Sequence, residues 1–191
     1  MNIFLNINHI VSQYLNNFVL ENHLEKVIWF LSDAPIFLLP IFLFWAWIFW
    51  TYKIKDNEKK TDLLDIAYWI IFAIIINLTI QHFFFFERPE TLVKPILAHI
   101  PDASFPSDHA AVSVAFLTWL FLAWYKKIAY FFLVFAILMN FSRIAWGVHW
   151  FFDIVAWATI WIISEIIVFK NKKYFEKINN FIIKILNYIK L

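Results

Sequence analysis

The stretch KKIAYFFLVFAILMNFSRIAWGVHWFFDIVAWATIWIISEIIVFK, residues 126–170, decides the fold. Two apolar runs, roughly 128–146 and 150–169, are each long enough, or nearly so, to cross about 30 Å of hydrocarbon as a helix. Lysines flank the pair, with Lys126 and Lys127 before the first run and Lys170 after the second. Where the runs meet stand Arg143, Gly147, His149 and Asp153. A helical hairpin therefore carries its lysines to one membrane side and this polar connection to the other.

Three further runs, roughly 28–52, 63–86 and 110–125, extend the pattern. The last is short, and a helix begun at the Pro106–Ser107 boundary brings it to a plausible length. The expected fold is all-α, a polytopic membrane bundle of five to six transmembrane helices with amphipathic terminal helices. Composition agrees, since 63% of the residues are hydrophobic and 16% charged, against roughly 45–50% apolar in a soluble domain. A chain of 191 residues makes one domain. It divides into an amphipathic N-terminal helix (1–22), a membrane domain (23–169) and an amphipathic tail (170–191).

In the first segment Phe4, Ile7, Val11, Leu15 and Phe18 recur at helical spacing. That pattern suits a helix lying in the interface better than a sixth membrane element. The first 22 residues lack a basic stretch, a compact apolar core and a small-residue cleavage site, so the first helices are expected to act as the insertion signal. The tail sets Phe175, Ile178, Ile182, Ile185 and Ile189 against Lys172, Lys173, Lys177, Lys184 and Lys190, the pattern of a surface helix held by anionic lipid. A net charge of +2 is too small to suggest nucleic acid, and the absence of cysteine removes disulfides and thiolate metal sites.

Lys53, Lys55, Lys59 and Lys60, then Lys126 and Lys127, then Lys170, Lys172 and Lys173 all fall on one side. The positive-inside rule makes that side cytoplasmic, leaving connections 87–109 and 142–150 outside with most of the remaining polar groups. Trp50, Trp124, Trp146 and Trp150 fall near span ends and read as interfacial anchors.

Three clusters carry chemistry. His149 and Asp153, four apart, share a helix face, where the carboxylate can accept a hydrogen bond from one imidazole nitrogen and leave the other free as base or nucleophile. A structural pair at a helix start explains the same spacing. Arg88, followed by Pro89, and Arg143 offer two guanidinium forks suited to a tetrahedral anion, with snorkelling to headgroups as the alternative use. In Phe105–Ala111, a proline precedes Ser107 and Asp108, both good N-caps, and then an apolar helix. The first-turn amides make an anion site there, Ser107 adds a hydroxyl, and His109 is placed to give a proton to a leaving oxygen. Asp108 reads best as the cap. Gly147, the only glycine, points to a positive φ or a close backbone approach.

Arg88-Pro89, Pro106-Ser107-Asp108-His109, and Ser142-Arg143 followed by His149 and Asp153 together resemble the tripartite signature of the type 2 phosphatidic acid phosphatase superfamily. The resemblance covers about 63–169. Residues Asp102–His109, with Asp108 where glycine is commoner, resemble the bacitracin-resistance branch, the undecaprenyl-diphosphate phosphatases. Asn77 and Asp33 also resemble polar positions of that branch, or serve packing. The chain departs from the superfamily at Gln81, where a lysine usually stands seven residues before the arginine, which leaves phosphate binding to Arg88, Arg143 and helix amides.

The resemblance implies an integral-membrane phosphatase of a bacterial plasma membrane, with an extracytoplasmic site and no metal or cofactor. His149 would attack phosphorus, Asp153 would stabilise the charged imidazole, and His109 would protonate the leaving group and then activate water. Arg88, Ser107, the amide of Asp108 and Arg143 would hold phosphate oxygens, with Pro89, Gly147 and Gln81 supporting. The implied partners are a lipid phosphate and the bilayer; undecaprenyl diphosphate leads, with phosphatidic acid, phosphatidylglycerophosphate or a lipid A phosphate as alternatives. A lipid-phosphate carrier without hydrolysis is the competing class, although binding alone needs no tautomer-fixed nucleophile. Oligomeric state has no signature in the sequence.

Overall fold

An open chain in hydrocarbon satisfies its backbone by coiling into helices. In the computed structural model, which describes residues 3–50, 52, 57–84, 86–89, 92–93, 103–123 and 125–188, every regular element is helical. The elements are α1 (Ile3–Glu21), α2 (Glu25–Phe49), α3 (Asn57–Phe83), α4 (Asp108–Leu122), α5 (Lys126–Trp146), α6 (Phe151–Lys170) and α7 (Glu176–Tyr188). Lys53, Lys55, Phe85, Asp102, Trp124, Ile189 and Lys190 lie outside the described residues.

Four helices, α2, α3, α5 and α6, are long and apolar enough to cross a membrane. The fifth expected span, α4, has 15 residues, about 22 Å at 1.5 Å per residue, and falls short of the hydrocarbon thickness. The reason is its position. It packs against α3, α5 and α6, and its residues from Ala110 to Leu120 are mostly buried. A helix surrounded by others need not reach both headgroup layers. Its N-terminus can therefore sit at the inner end of a recess.

Lipid tails are as apolar as leucine, so association rests on close packing and interhelical hydrogen bonds. Ala110, Ala111 and Ala115 of α4 meet Ala73 of α3 and Trp157 and Trp161 of α6, small residues admitting large ones. Deeper along α4, Val112, Phe116, Trp119 and Leu120 pack with Leu39, Ile66 and Phe132. Asn140 of α5 donates to Ser113 Oγ of α4 at 3.2 Å. Large side chains such as Phe44, Phe72, Phe131 and Ile163 point outward, where lipid would cover them.

The lysine-bearing ends gather at one end of the bundle. Tyr125 beside Lys126 donates to Asp62 Oδ2 at 2.9 Å, and Lys60 reaches Asn187 of α7 at 2.8 Å. The tail helix docks on α3 through Asn179, which donates to Asp65 Oδ1 at 2.7 Å, and through buried Ile183, while Ile178, Phe181 and Ile185 stay exposed.

At the opposite end α1 packs on α5 and α6 with its polar stripe inward. Asn16 donates to the Ala145 carbonyl at 2.9 Å, Asn8 accepts from the Phe152 amide at 3.0 Å, and Ser12 is buried. Phe4, Ile10 and Phe18 remain exposed. Although 19 residues long, α1 is not among the helices apolar enough to cross.

The tryptophan expectation is corrected for two of its four residues, Trp146 and Trp50, which are buried. Trp146 is 5% exposed and lies under the Arg143 guanidinium. Trp50 is buried against Tyr125. Trp150 donates to the Glu87 carbonyl at 2.8 Å and stacks on His9. Position near a helix end is visible in sequence, whereas the direction of the ring is set by neighbouring helices.

Candidate active site

The site forms where α4 begins and the α5–α6 connection turns. Ser107 has extended backbone angles (φ −85°, ψ 115°) and its hydroxyl accepts from the Ala110 amide at 3.4 Å, so Ser107 is the N-cap. This corrects the expected capping role of Asp108. Being already helical, Asp108 turns its carboxylate to α3, where Oδ1 accepts from Asn77 at 2.8 Å and Gln81 at 3.4 Å. Gln81 also donates to the Pro106 carbonyl at 2.9 Å, so α3 braces the turn that opens α4.

Gly147 has φ 89°, ψ 17°, the left-handed conformation its isolation in the sequence suggested. Its amide bonds to the Ile144 carbonyl and that of Val148 to the Arg143 carbonyl, a Schellman ending for α5. This turn directs the Val148 carbonyl to Arg88, which donates to it through Nη1, and tucks His149 inward at 2% exposure. Pro89 is buried beside Arg88, and its carbonyl accepts from the Leu92 and Val93 amides.

His149 Nδ1 lies 2.6 Å from the Ser104 carbonyl. A carbonyl can only accept, so Nδ1 carries the proton and Nε2 keeps its lone pair. The expectation that Asp153 would orient the ring is corrected. Helix α6 starts at Phe151, so His149 precedes it and the two residues do not share a helical face. Instead Asp153 Oδ2 accepts from the Trp150 amide at 2.9 Å, bracing the helix start and with it the backbone next to His149.

Arg143 is 5% exposed. Its Nη1 donates to Asp33 Oδ1 at 2.8 Å and Ser32 Oγ at 3.3 Å. The same Asp33 oxygen is 3.3 Å from His109 Nε2. A cavity of about 250 Å³ is lined by Asp33, Gln81, Arg88, Asp108, His109, Arg143 and His149, room for about eight waters at about 30 Å³ each. Of the residues singled out in the sequence, Arg88, His109, Arg143, His149, Asp108 and Gln81 line it. Ser107, Pro89, Gly147 and Asp153 are not among its lining residues.

Sequence reasoning assigned no role to Ser104, whose contribution is a backbone carbonyl. It also left Asp33 undecided between a site and packing, though a lone acid in an apolar run was a usable signal.

Burial holds His149 well below its ordinary value of 6.5, with Arg143 and then Arg88 acting in the same direction. The imidazole is therefore neutral at neutral pH. Protonation would silence Nε2 as a nucleophile, so the acidic limb of kcat/KM, which reports the free enzyme, is expected below pH 6.5. A limb centred above that value would contradict this assignment.

A sequence profile of the PAP2 superfamily matches residues 62–176, a region holding all three clusters from Arg88 to Asp153. The chain belongs to the PAP2 superfamily. It is 39% identical over 79 residues to the "Bacitracin transport permease protein BcrC" of Bacillus licheniformis, covering 40% of this chain and 37% of that protein. It is 33% identical over 99 residues to the "Putative undecaprenyl-diphosphatase YbjG" of Escherichia coli strain K12, covering 49% and 48%. The chain thus matches between about a third and a half of the length of these relatives. In fold it resembles a transmembrane PAP2-type phosphatidylglycerolphosphate phosphatase from Bacillus subtilis, with TM-score 0.67, 23% identity and coverage of 93% of this chain and 89% of that one. Aquifex aeolicus LpxE superposes with TM-score 0.62 at 23% identity, covering 89% and 96%.

Proposed function

We propose that the protein is a membrane lipid phosphatase that hydrolyses undecaprenyl diphosphate to undecaprenyl phosphate at the extracytoplasmic face through a phosphohistidine. The observation that carries this reading is the His149 imidazole, protonated on Nδ1 by its contact with Ser104 and sharing a cavity with Arg88 and Arg143. A neutral nitrogen nucleophile sharing a cavity with two guanidinium groups suits attack on a phosphate whose charge must be neutralised.

The Nε2 lone pair of His149 forms a bond to the terminal phosphorus while the bond from phosphorus to the bridging oxygen breaks. His109 delivers a proton to the departing lipid phosphate. It then takes one from water, whose oxygen attacks the phosphohistidine, releasing inorganic phosphate and restoring neutral His149. Arg88 and Arg143, with the first-turn amides of α4, hold the equatorial oxygens, so catalysis is mainly positioning and charge stabilisation.

The diphosphate is favoured by the Asp102–His109 resemblance and by the similarity to the "Putative undecaprenyl-diphosphatase YbjG" of Escherichia coli. The face is favoured by Lys59, Lys60, Lys126, Lys127, Lys170, Lys172 and Lys173, all at helix ends remote from the cavity. On this reading α1 lies on the outer surface and α7 on the inner one.

Phosphate release by purified protein, measured side by side on undecaprenyl diphosphate, phosphatidic acid, phosphatidylglycerophosphate and a lipid A phosphate, tests the substrate. The diphosphate should give the highest kcat/KM. A higher value for another lipid phosphate overturns the substrate, and no release from any favours a carrier. Because the chain has no cysteine, single cysteines placed at Glu87 and Lys127 report orientation cleanly. In intact cells an impermeant maleimide should label the first and spare the second; the reverse pattern would invert the topology.

A further inference from the structure

Asp33 comes from α2, outside the region matched by the family profile, yet it lines the cavity. One of its oxygens touches two groups at once, Arg143 Nη1 at 2.8 Å and His109 Nε2 at 3.3 Å. A carboxylate accepts only, so its contact with an imidazole nitrogen requires the proton to be on that nitrogen. We propose that Asp33 is a positioning residue for acid catalysis: it keeps a proton on Nε2 of His109 and balances the charge of the ring when both nitrogens are protonated. This deepens the phosphatase reading and rests on it.

Nδ1 of His109 is then the nitrogen that exchanges a proton with substrate. As phosphorus bonds to His149 and separates from the ester oxygen, Nδ1–H passes its proton to that oxygen, and neutral His109 remains paired with Asp33. The requirement for this proton depends on the leaving group. An alkoxide is a poor leaving group without it, whereas a nitrophenolate departs as a stable anion. Asp33 therefore bears on substrate class, because it equips the cavity for alkyl monophosphates as well as for diphosphates, whose leaving phosphate needs less help.

The test compares kcat/KM, which covers the steps up to leaving-group departure, for an alkyl phosphate and for p-nitrophenyl phosphate in wild type and Asp33→Ala. The alkyl phosphate is expected to lose roughly 10²-fold, the lower end of what a positioned acid contributes. The nitrophenyl ester should lose several-fold at most, through the altered setting of Arg143. In a His109→Ala background the further change Asp33→Ala should leave the ratio between the two substrates unaltered. Equal losses on both substrates in the single variant would overturn the proposal, since a structural effect or an effect through Arg143 acts on either ester.

Nitrogen-15 NMR of histidine-labelled protein, with the His109 signals assigned by their absence in His109→Ala, gives a readout independent of turnover. His109 should carry its proton on Nε2 in wild type and lose that preference in Asp33→Ala. An unchanged tautomer would count against the proposal. If wild type hydrolyses neither ester nor any lipid phosphate, the phosphatase reading fails, while the tautomer still decides the role of Asp33.

Discussion

Replacing His149 by alanine is expected to lower kcat by about 10⁴ to 10⁶-fold, the range seen when a covalent nucleophile is removed from a group that acts as a unit. The geometry argues for the upper half. Alanine leaves no nucleophile aligned at the position of Nε2, and the two arginines lining the cavity with His149 stabilise an attack that no longer has an attacker. Alanine also strips the Ser104 carbonyl of its partner, at about 1–3 kcal/mol for a buried group left unpaired. His149→Asn separates the two effects, because its amide nitrogen can take the place of Nδ1 at Ser104 while nothing replaces Nε2. It should melt close to wild type and be as inactive as alanine. An asparagine variant with a tenth of wild-type kcat would remove His149 from the nucleophile role.

Arg143→Ala is expected to lower kcat/KM by about 10³ to 10⁵-fold, the scale on which an arginine stabilises a transferring phosphoryl group. An arginine that merely snorkels to headgroups would cost a few-fold. The structure supports the larger figure, since Arg143 is buried, held by Asp33 and Ser32 and stacked on Trp146. The side chain is thus set in place before substrate arrives. Arg143→Lys should recover little, because an ammonium keeps the charge without the planar fork or the stacking. Recovery to within tenfold of wild type would show that charge alone suffices and that the fork has no role. Steady-state kinetics of the purified variants decide both points.

The three clusters were separately ambiguous in the sequence. Arg88 and Arg143 could snorkel, Asp108 could cap, and His149 with Asp153 could be a helix-start pair. The structure brings Arg88, His109, Arg143 and His149 into one cavity, while two local assignments change. The cap is Ser107, since it has the extended backbone angles a cap requires. Asp153 braces the Trp150 amide, because α6 begins after His149 and the four-residue spacing has no helix to act through.

Some features were determined by the sequence alone. Apolar runs of membrane length, lysines gathered at alternate connections and a lone glycine before His149 are patterns of hydropathy, charge and backbone freedom that operate within a few residues of chain. They settle which segments coil, how the hairpins alternate and where α5 must stop. Tertiary structure alone decided that the Ser104 carbonyl orients His149, that Asp33 joins Arg143 and His109, that α4 is enclosed by α3, α5 and α6 and that Trp146 turns inward. The reason is physical: every residue but proline carries the same amide and carbonyl, so no side-chain pattern marks the one carbonyl that will meet an imidazole. A contact across 45 to 110 residues exists only when helix packing brings its two ends together.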